Sequence, residues 1–386
     1  MMNIFLFLAI AFLFTFIVGE LIEKIKVPWI FAALIFGFLL AIKNPFSQIT
    51  NSSTFTFLAN LGMYFLLFII GFEIDLTKME KKSGFIIGIT GMTILLETIF
   101  GSLIVHFIFN YDWFVSLLVP LSFSTVGEAI LVPILDEFGI VNTSLGQTII
   151  GAGTLDDMIE LATLILVVVL VGSTVHTHFK IGMTLVSLFV LFALTIGLTK
   201  LKKEGKQFSF INIETLFLFV IFTLFLFLGI GMYAESAPLA ALLAGISLRT
   251  FIPDERLKYI ESEVKTMCYG FFAPLFFLWV GSSINIKYLV MYPTLVLLVV
   301  IVSSLAKLIG SLIIGFKKIG VKQSILLGVG LSVRFSTSII IIKILLDSGL
   351  IGSNLYSVIV ASSIFFTFVV PITFSNLLVR WTKKKE

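Results

Sequence analysis

Long apolar runs separated by short polar stretches repeat along the whole chain. Hydrophobic segments lie at residues 3–22, 27–42, 54–75, 84–108, 113–136, 143–172, 180–199, 209–233, 235–249, 266–285, 288–316, 320–346 and 354–379. Most are long enough to cross about 30 Å of hydrocarbon as an α-helix. The pattern predicts an all-α polytopic membrane protein with thirteen transmembrane helices, numbered below as predicted helices 1–13.

The composition supports a membrane protein and narrows its architecture. Of 386 residues, 59% are hydrophobic and 12% are charged, and the mean hydropathy is +1.14. A soluble globule of this size could not bury so much apolar surface, and a transmembrane barrel would show short alternating segments instead. The longest loop, near residues 250–265, is too short to form a soluble domain.

The basic residues predict the orientation of the helices. With thirteen spans, only Lys43, Lys180 and Lys287 fall on one side, and all other basic residues outside the spans fall on the opposite side. Because Lys and Arg are enriched in cytoplasmic loops, the N-terminus is expected outside and the C-terminus in the cytoplasm of a cell-membrane protein. This placement also argues against a nucleic-acid partner.

The residue types that usually hold cofactors are scarce. The chain has a single cysteine, Cys268, and three histidines, His106, His176 and His178. Zinc and haem chemistry are therefore unexpected, and we expect neither a cofactor nor an enzymatic activity.

The two halves of the chain resemble each other at an offset of 210 residues. Gly71 matches Gly281, Leu121 matches Leu331, and VPWIFAALIFG from residue 27 resembles APLAALLAG from residue 237 with a shift of two. Residues 1–172 and 208–386 would then be repeats of opposite orientation, with helix 7 in the linker 173–207. Inverted repeats are typical of secondary transporters.

Predicted helices 5 and 12 both contain residues that interrupt helices. Helix 5 carries Ser124-Thr125-Val126-Gly127 and then Pro133, and helix 12 carries Gly328-Val329-Gly330 followed by Ser336-Thr337-Ser338. Interrupted helices expose main-chain groups that can coordinate a cation or offset a charge. Packing of small residues is the alternative explanation.

The deepest acidic residues lie in predicted helix 6, where Asp156 and Asp157 are adjacent near midspan and Glu160 follows on the same broad face. A carboxylate at this depth is costly and marks a functional site by default. Adjacent residues point about 100° apart. One aspartate can therefore face a countercharge while the other faces a water-filled crevice.

Further charges at membrane depth are unevenly balanced. Five carboxylates lie at this depth and face two deep cations, Lys307 and Arg334; besides the three in helix 6 they are Glu97 and Glu128. Glu97 is the 210-residue counterpart of Lys307. The surplus of acid predicts a bound cation or proton. Lys343, near the end of helix 12, is expected to reach toward the membrane surface.

The ordered set of these motifs resembles the monovalent cation:proton antiporter-2 superfamily, which contains bacterial sodium/proton and potassium/proton exchangers. The resemblance covers nearly the whole chain. It rests on Asp156-Asp157, Lys307, Arg334 and the segments VPWIFAALIFG, GMYFLLFIIGFEID and FAPLFFLWVGSSIN. An aspartate pair resembles the electrogenic sodium/proton members.

The resemblance implies a homodimer whose core domain moves against a dimerisation domain. The core would comprise 84–172 and 288–380, including the crossed, broken helices 5 and 12, and the dimerisation parts would be 1–75 and 208–285. By the resemblance, Asp157 would bind Na⁺ or a proton beside Asp156. Thr125, Glu128 and Glu160 are further candidate ligands because of their positions in predicted helices 5 and 6. Lys307 would pair with Asp156, and Arg334 would support the crossing.

The chain departs from the family pattern at Glu128, Glu160 and Phe335. These residues leave the ion open, so a potassium/proton exchanger remains an alternative. A cation channel would need a filter-like repeat, and an intramembrane aspartyl enzyme would need its two aspartates on separate helices. The favoured hypothesis is exchange of Na⁺ or Li⁺ for protons, in which the two ions compete at Asp157.

Overall fold

The computed structural model describes most of the chain. The described residues are 3–24, 27–73, 84–124, 126–127, 131–132, 134–135, 138–174, 186–187, 189–197, 212–233, 236–252, 254–334 and 336–382. The side chains at 157, 161, 168–174, 254–255, 258, 336 and 382 lie outside this description.

All regular structure within these ranges is helical. The helices are α1 Ile4–Glu23, α2 Phe31–Ile42, α3 Ser47–Thr50, α4 Ser53–Glu73, α5 Gly84–Phe107, α6 Trp113–Phe123, α7 Ser144–Thr174, α8 Ile213–Tyr233, α9 Ala237–Phe251, α10 Asp254–Met267, α11 Ala273–Ser282, α12 Ile286–Met291, α13 Pro293–Gly330, α14 Ser336–Asp347 and α15 Ser353–Thr382. Residues 131–132, 134–135, 186–187 and 189–197 are helical as well.

Seven helical stretches in the described part of the chain are long and apolar enough to cross a membrane. They are Ile4–Glu23, Ser53–Glu73, Gly84–Phe107, Ile213–Tyr233, Tyr259–Ser282, Pro293–Gly330 and Ser353–Trp381. Shorter apolar helices are α2, α6 and α9. The chain is thus a multi-pass membrane protein, while the finer count of thirteen spans stays a prediction.

Two predicted boundaries differ from the structure. Residues 254–265, expected to lie in a loop, belong to α10. There Lys265 bridges Glu261 one turn earlier at 2.8 Å and Glu73 of α4 at 2.6 Å. Such i,i+4 pairs favour the helix. Within the described residues, there is no gap between predicted helices 11 and 12. These segments form one helix, α13, with a kink at Gly320, whose φ of 78° is easily adopted only by glycine.

Four glycines bring two pairs of helices together backbone against backbone. A Cβ at Gly71 in α4 would collide with the main chain of α9, and one at Gly245 in α9 would collide with the main chain of α4. Gly37 in α2 and Gly281 in α11 meet in the same manner. The two crossings therefore occupy equivalent places in the predicted repeats. The division into repeats, core and dimerisation parts itself stays a prediction.

Candidate ion-binding site

Two interruptions of the helical backbone meet at one point. The first follows α6, which ends at Phe123, and the second lies between α13 and α14. The main-chain N–H of Gly127, in the first interruption, donates a hydrogen bond of 3.0 Å to the carbonyl oxygen of Val333, in the second. The structure thus confirms that both predicted helices are broken, and it joins the two breaks directly.

Arg334 lies in the second interruption and is fully buried. Its guanidinium carbon lies 4.7 Å from the centre of the Phe123 ring, at the end of α6, and 5.2 Å from that of Phe366 in α15. The Thr367 hydroxyl donates to the Arg334 carbonyl oxygen at 3.0 Å. Arg334 therefore contacts both sides of the crossing.

Lys307 in α13 pairs with Glu97 of α5. The distance from Lys307 Nζ to Glu97 Oε2 is 3.4 Å, and the ammonium also donates to the carbonyl oxygen of Ser124 in the first interruption. Arg334 Nη2 and the Ser303 hydroxyl both donate to Glu97 Oε1, and Arg334 donates to Ser303 at 2.8 Å. These groups form the Glu97 cluster, defined as Glu97, Ser303, Lys307 and Arg334.

The expected pairing of Lys307 with Asp156 is wrong for this structure. The reason lies in the contact of α5 with α13, where a Cβ at Gly310 would lie only 3.0 Å from Thr93. Because the helices run antiparallel, one turn onward from Thr93 brings Glu97 opposite Lys307. Glycine thus permits an approach that gives Lys307 a carboxylate partner on α5.

Asp156 in α7 is buried, with 1% of its surface exposed. The charges of Lys307 and Arg334 act on it and the main-chain amide of Val126 faces it, yet neither carboxylate oxygen makes an ion pair or a well-formed hydrogen bond with the described residues. A buried carboxylate left in this state is strongly disfavoured unless it is neutralised by a proton or a cation. The structure therefore provides one incompletely satisfied acid beside the crossing.

The other predicted ligands are only partly described. The backbone of Asp157 continues α7 one residue beyond Asp156, but the Asp157 side chain lies outside the described part of the chain. Thr125 and Glu128 lie outside it entirely. Glu160 is buried at 5% exposure, one helical turn beyond Asp156. Among the described residues, no group of three or more His, Cys, Asp or Glu side chains is arranged to hold a metal ion.

Lys343 does not reach toward the membrane surface as expected. Only 2% of it is exposed, its ammonium pairs with Asp347 in the same helix, and it lies 3.3 Å from the centre of the Trp279 ring in α11. The prediction is wrong because α11 supplies an aromatic face, which together with Asp347 offers an inward-facing lysine favourable contacts.

The sequence identified Glu97 as a deep carboxylate and as the counterpart of Lys307, but it did not predict that Glu97 pairs with Lys307 and Arg334. It missed Ser303 entirely, because a serine in an apolar helix is usually a packing residue. The opposite charges at counterpart positions 97 and 307 were the signal for the ion pair. A partly open pocket with an otherwise apolar lining borders Glu97 and Ser303.

Two broken helices that cross beside a buried acid define a protein of the secondary-transporter class. The chain belongs to the sodium/hydrogen exchanger family, because the family model described as "Sodium/hydrogen exchanger, transmembrane" matches residues 8–380.

Individual relatives span almost the entire chain. The probable Na(+)/H(+) antiporter 3 of Methanocaldococcus jannaschii is 26% identical over 96% of this chain and 95% of that protein. The Na(+)/H(+)-K(+) antiporter GerN of Bacillus cereus is 23% identical over 94% and 93%. The structure of the sodium proton antiporter MjNhaP1 from Methanocaldococcus jannaschii at pH 8 matches with a TM-score of 0.68 and 19% identity, covering 96% of this chain and 98% of that one. This last similarity shows the fold.

Proposed function

We propose that the protein is a secondary active transporter that exchanges Na⁺ or Li⁺ for protons across the cell membrane. The observation that carries the proposal is Asp156, a buried carboxylate that makes no ion pair with the described residues. Asp157 follows it directly, at the crossing of two broken helices. Membership of the sodium/hydrogen exchanger family supports it, as do relatives named as Na⁺/H⁺ antiporters.

In this proposal the two ions compete for Asp157. The carboxylate is either protonated or bound to the cation, and each state neutralises the buried charge. The neutralised core moves past the dimerisation part and opens the site to the other side. The bare, charged site stays in place because its desolvation is unfavourable, and this restriction couples the two fluxes.

The architecture of the proposal follows from the predicted repeats. Thirteen helices would place the N-terminus outside and the C-terminus in the cytoplasm. Residues 84–172 and 288–380 would form the moving core, and a homodimer would anchor residues 1–75 and 208–285. The crossing of α6 and α14 at Gly127 and Val333 supports the core assignment, since it lies within both core segments.

A transport assay tests the proposal. Purified protein in proteoliposomes is given an outward or inward pH gradient and challenged with Na⁺, Li⁺, K⁺ or Ca²⁺, while internal pH and membrane voltage are recorded. We expect Na⁺ and Li⁺ to dissipate the pH gradient in either direction. Cation flux that does not depend on an opposing proton gradient would indicate a channel instead.

Exchange of K⁺ for protons is the second candidate. It is favoured by the similarity to GerN, whose name includes both Na⁺ and K⁺. The same assay separates the two, because a potassium exchanger responds to K⁺ at concentrations where Na⁺ and Li⁺ have little effect.

A further inference from the structure

The Glu97 cluster holds two buried cations, Lys307 and Arg334, on one carboxylate. Glu97 Oε1 accepts hydrogen bonds from Arg334 and Ser303, and Glu97 Oε2 lies 3.4 Å from Lys307 Nζ. Only 3% of Glu97 is exposed, and Lys307 and Arg334 are fully buried. Because water is excluded, the positions of these charges relative to one another are set by their mutual contacts.

Lys307 is within electrostatic reach of a second acid. Its charge acts on Asp156 as well as on Glu97, and a lysine has a flexible four-carbon stem that can turn its ammonium from one partner to another. The ammonium nevertheless contacts Glu97 and the Ser124 carbonyl oxygen, and it makes no ion pair with Asp156. Glu97 and the break in the helix thus compete successfully with Asp156 for the lysine.

We propose that Glu97 is a positioning residue for transport, which holds Lys307 on the α5 side so that Asp156 is left to contact the transported cation together with Asp157. The inference rests on the proposed function. In this arrangement two adjacent carboxylates, those of Asp156 and Asp157, are available to the cation. If Lys307 paired with Asp156, only the Asp157 carboxylate would be available. Hard carboxylate oxygens favour small, hard cations.

The decisive variant is Glu97→Gln, which keeps the shape of the side chain and removes its charge. Asp156 is then the remaining described acid whose charge acts on Lys307, and the lysine competes with the cation there. We expect the KM for Na⁺ to rise by about tenfold or more, because loss of a buried contact of this kind is worth at least one decade in affinity. The turnover number should change far less.

Two companion variants separate positioning from folding. Glu97→Asp retains the charge and should recover most of the apparent affinity. The double variant E97Q/K307Q removes the displaced lysine as well as the acid, and its KM should return toward the wild-type value. Glu214→Gln, at an exposed acid in α8, is the matched control and should leave KM unchanged.

Ser303→Ala provides a milder test should Glu97→Gln yield no folded protein. It removes one donor to Glu97 without altering any charge, and we expect a rise in KM of about twofold to fivefold, as for the loss of a single hydrogen bond. The contrary outcome is a lower yield of the Glu97 and Ser303 variants, with a wild-type KM in the protein that remains folded. That result would show that Glu97 and Ser303 have only a structural role, and it would overturn the inference.

Cation-dependent thermal stabilisation distinguishes failure of the inference from failure of the proposed function. If Na⁺ stabilises the wild type but the wild type exchanges no protons, the proposed function is refuted. The inference can still be tested in that case, by comparing the Na⁺ concentration for half-maximal stabilisation of E97Q with that of the wild type. If the wild type exchanges Na⁺ for protons and E97Q does so with unchanged KM, the inference alone falls. No stabilisation and no exchange by the wild type would overturn both.

Discussion

Glu97 and Lys307, which lie 210 positions apart at equivalent places in the two predicted repeats, form a buried ion pair with 3.4 Å between Oε2 and Nζ. The pair joins α5 to α13 across the repeats. The two predicted repeats thus carry opposite charges at counterpart positions, and these charges stabilise each other. The counterparts of Asp156 and Asp157 are Phe366 and Thr367, so the acidic site exists in one half only.

A double-mutant cycle tests which acid is the partner of Lys307. We expect Lys307→Met and Glu97→Gln to be coupled by about 1–3 kcal/mol in unfolding free energy, as is usual for residues in direct contact. The cycle of Lys307→Met with Asp156→Asn should give a smaller coupling, because these side chains make no ion pair. Unfolding would be followed in detergent by intrinsic fluorescence. A larger coupling to Asp156 would contradict the observed arrangement.

The glycine crossings predict a sharp dependence on side-chain size. Gly71→Ala and Gly281→Ala should each lower stability by more than about 2 kcal/mol, because the added methyl group meets main-chain atoms that cannot move aside. Gly91→Ala, in α5 with open space around it, is the matched control and should be neutral or slightly stabilising. Melting temperatures in detergent would measure the difference, and equal effects at all three positions would refute the packing argument.

The Lys343 contacts predict a moderate loss of stability on substitution. Lys343→Met removes the ion pair with Asp347 and the contact with Trp279. We expect a loss of about 1–2 kcal/mol, because Asp347 is partly exposed and can be rehydrated. Lys287→Met, at an exposed lysine of α12, should leave the melting temperature unchanged. An equal response to both substitutions would rule out a specific contribution of the Trp279 contact.

Glu160 lies one turn from Asp156 on α7 and is buried. Its charge adds to the negative potential of the site, so Glu160→Gln should raise the KM for Na⁺ or shift the pH of half-maximal exchange. The same substitution at Glu128 tests its predicted place beside the break. An unchanged KM and an unchanged pH profile in both variants would show that Glu128 and Glu160 have a packing role. Asp156 and Asp157 would then be the only acidic pair of the proposed site.

Periodicity and charge placement predict much of this structure. Hydrophobic runs locate the helices, and clusters of Gly, Ser and Thr lie at or beside the interruptions at Ser124 and Leu331–Arg334. Such signals are local in sequence. The expectation that Arg334 lies at the crossing comes instead from the family resemblance, and the structure places Arg334 in the second interruption.

The partners of buried charges are set by contacts between distant helices. Lys307 pairs with Glu97 because Gly310 lets α13 approach α5 at Thr93, and no pattern within either helix contains that information. Lys343 likewise points inward because its ammonium contacts the Trp279 ring and pairs with Asp347. The sequence therefore predicts which residues are charged and deep, but their pairing depends on tertiary packing.

The most direct test of the proposed exchange compares the wild type with Asp157→Asn in proteoliposomes that carry a pH gradient. Addition of Na⁺ should dissipate the gradient with the wild type. The Asp157→Asn variant, which keeps the shape of the side chain and removes its charge, should be folded but inactive, as judged by a monodisperse elution profile and an unchanged internal pH. Robust Na⁺-coupled proton movement by the folded Asp157→Asn protein would contradict the account.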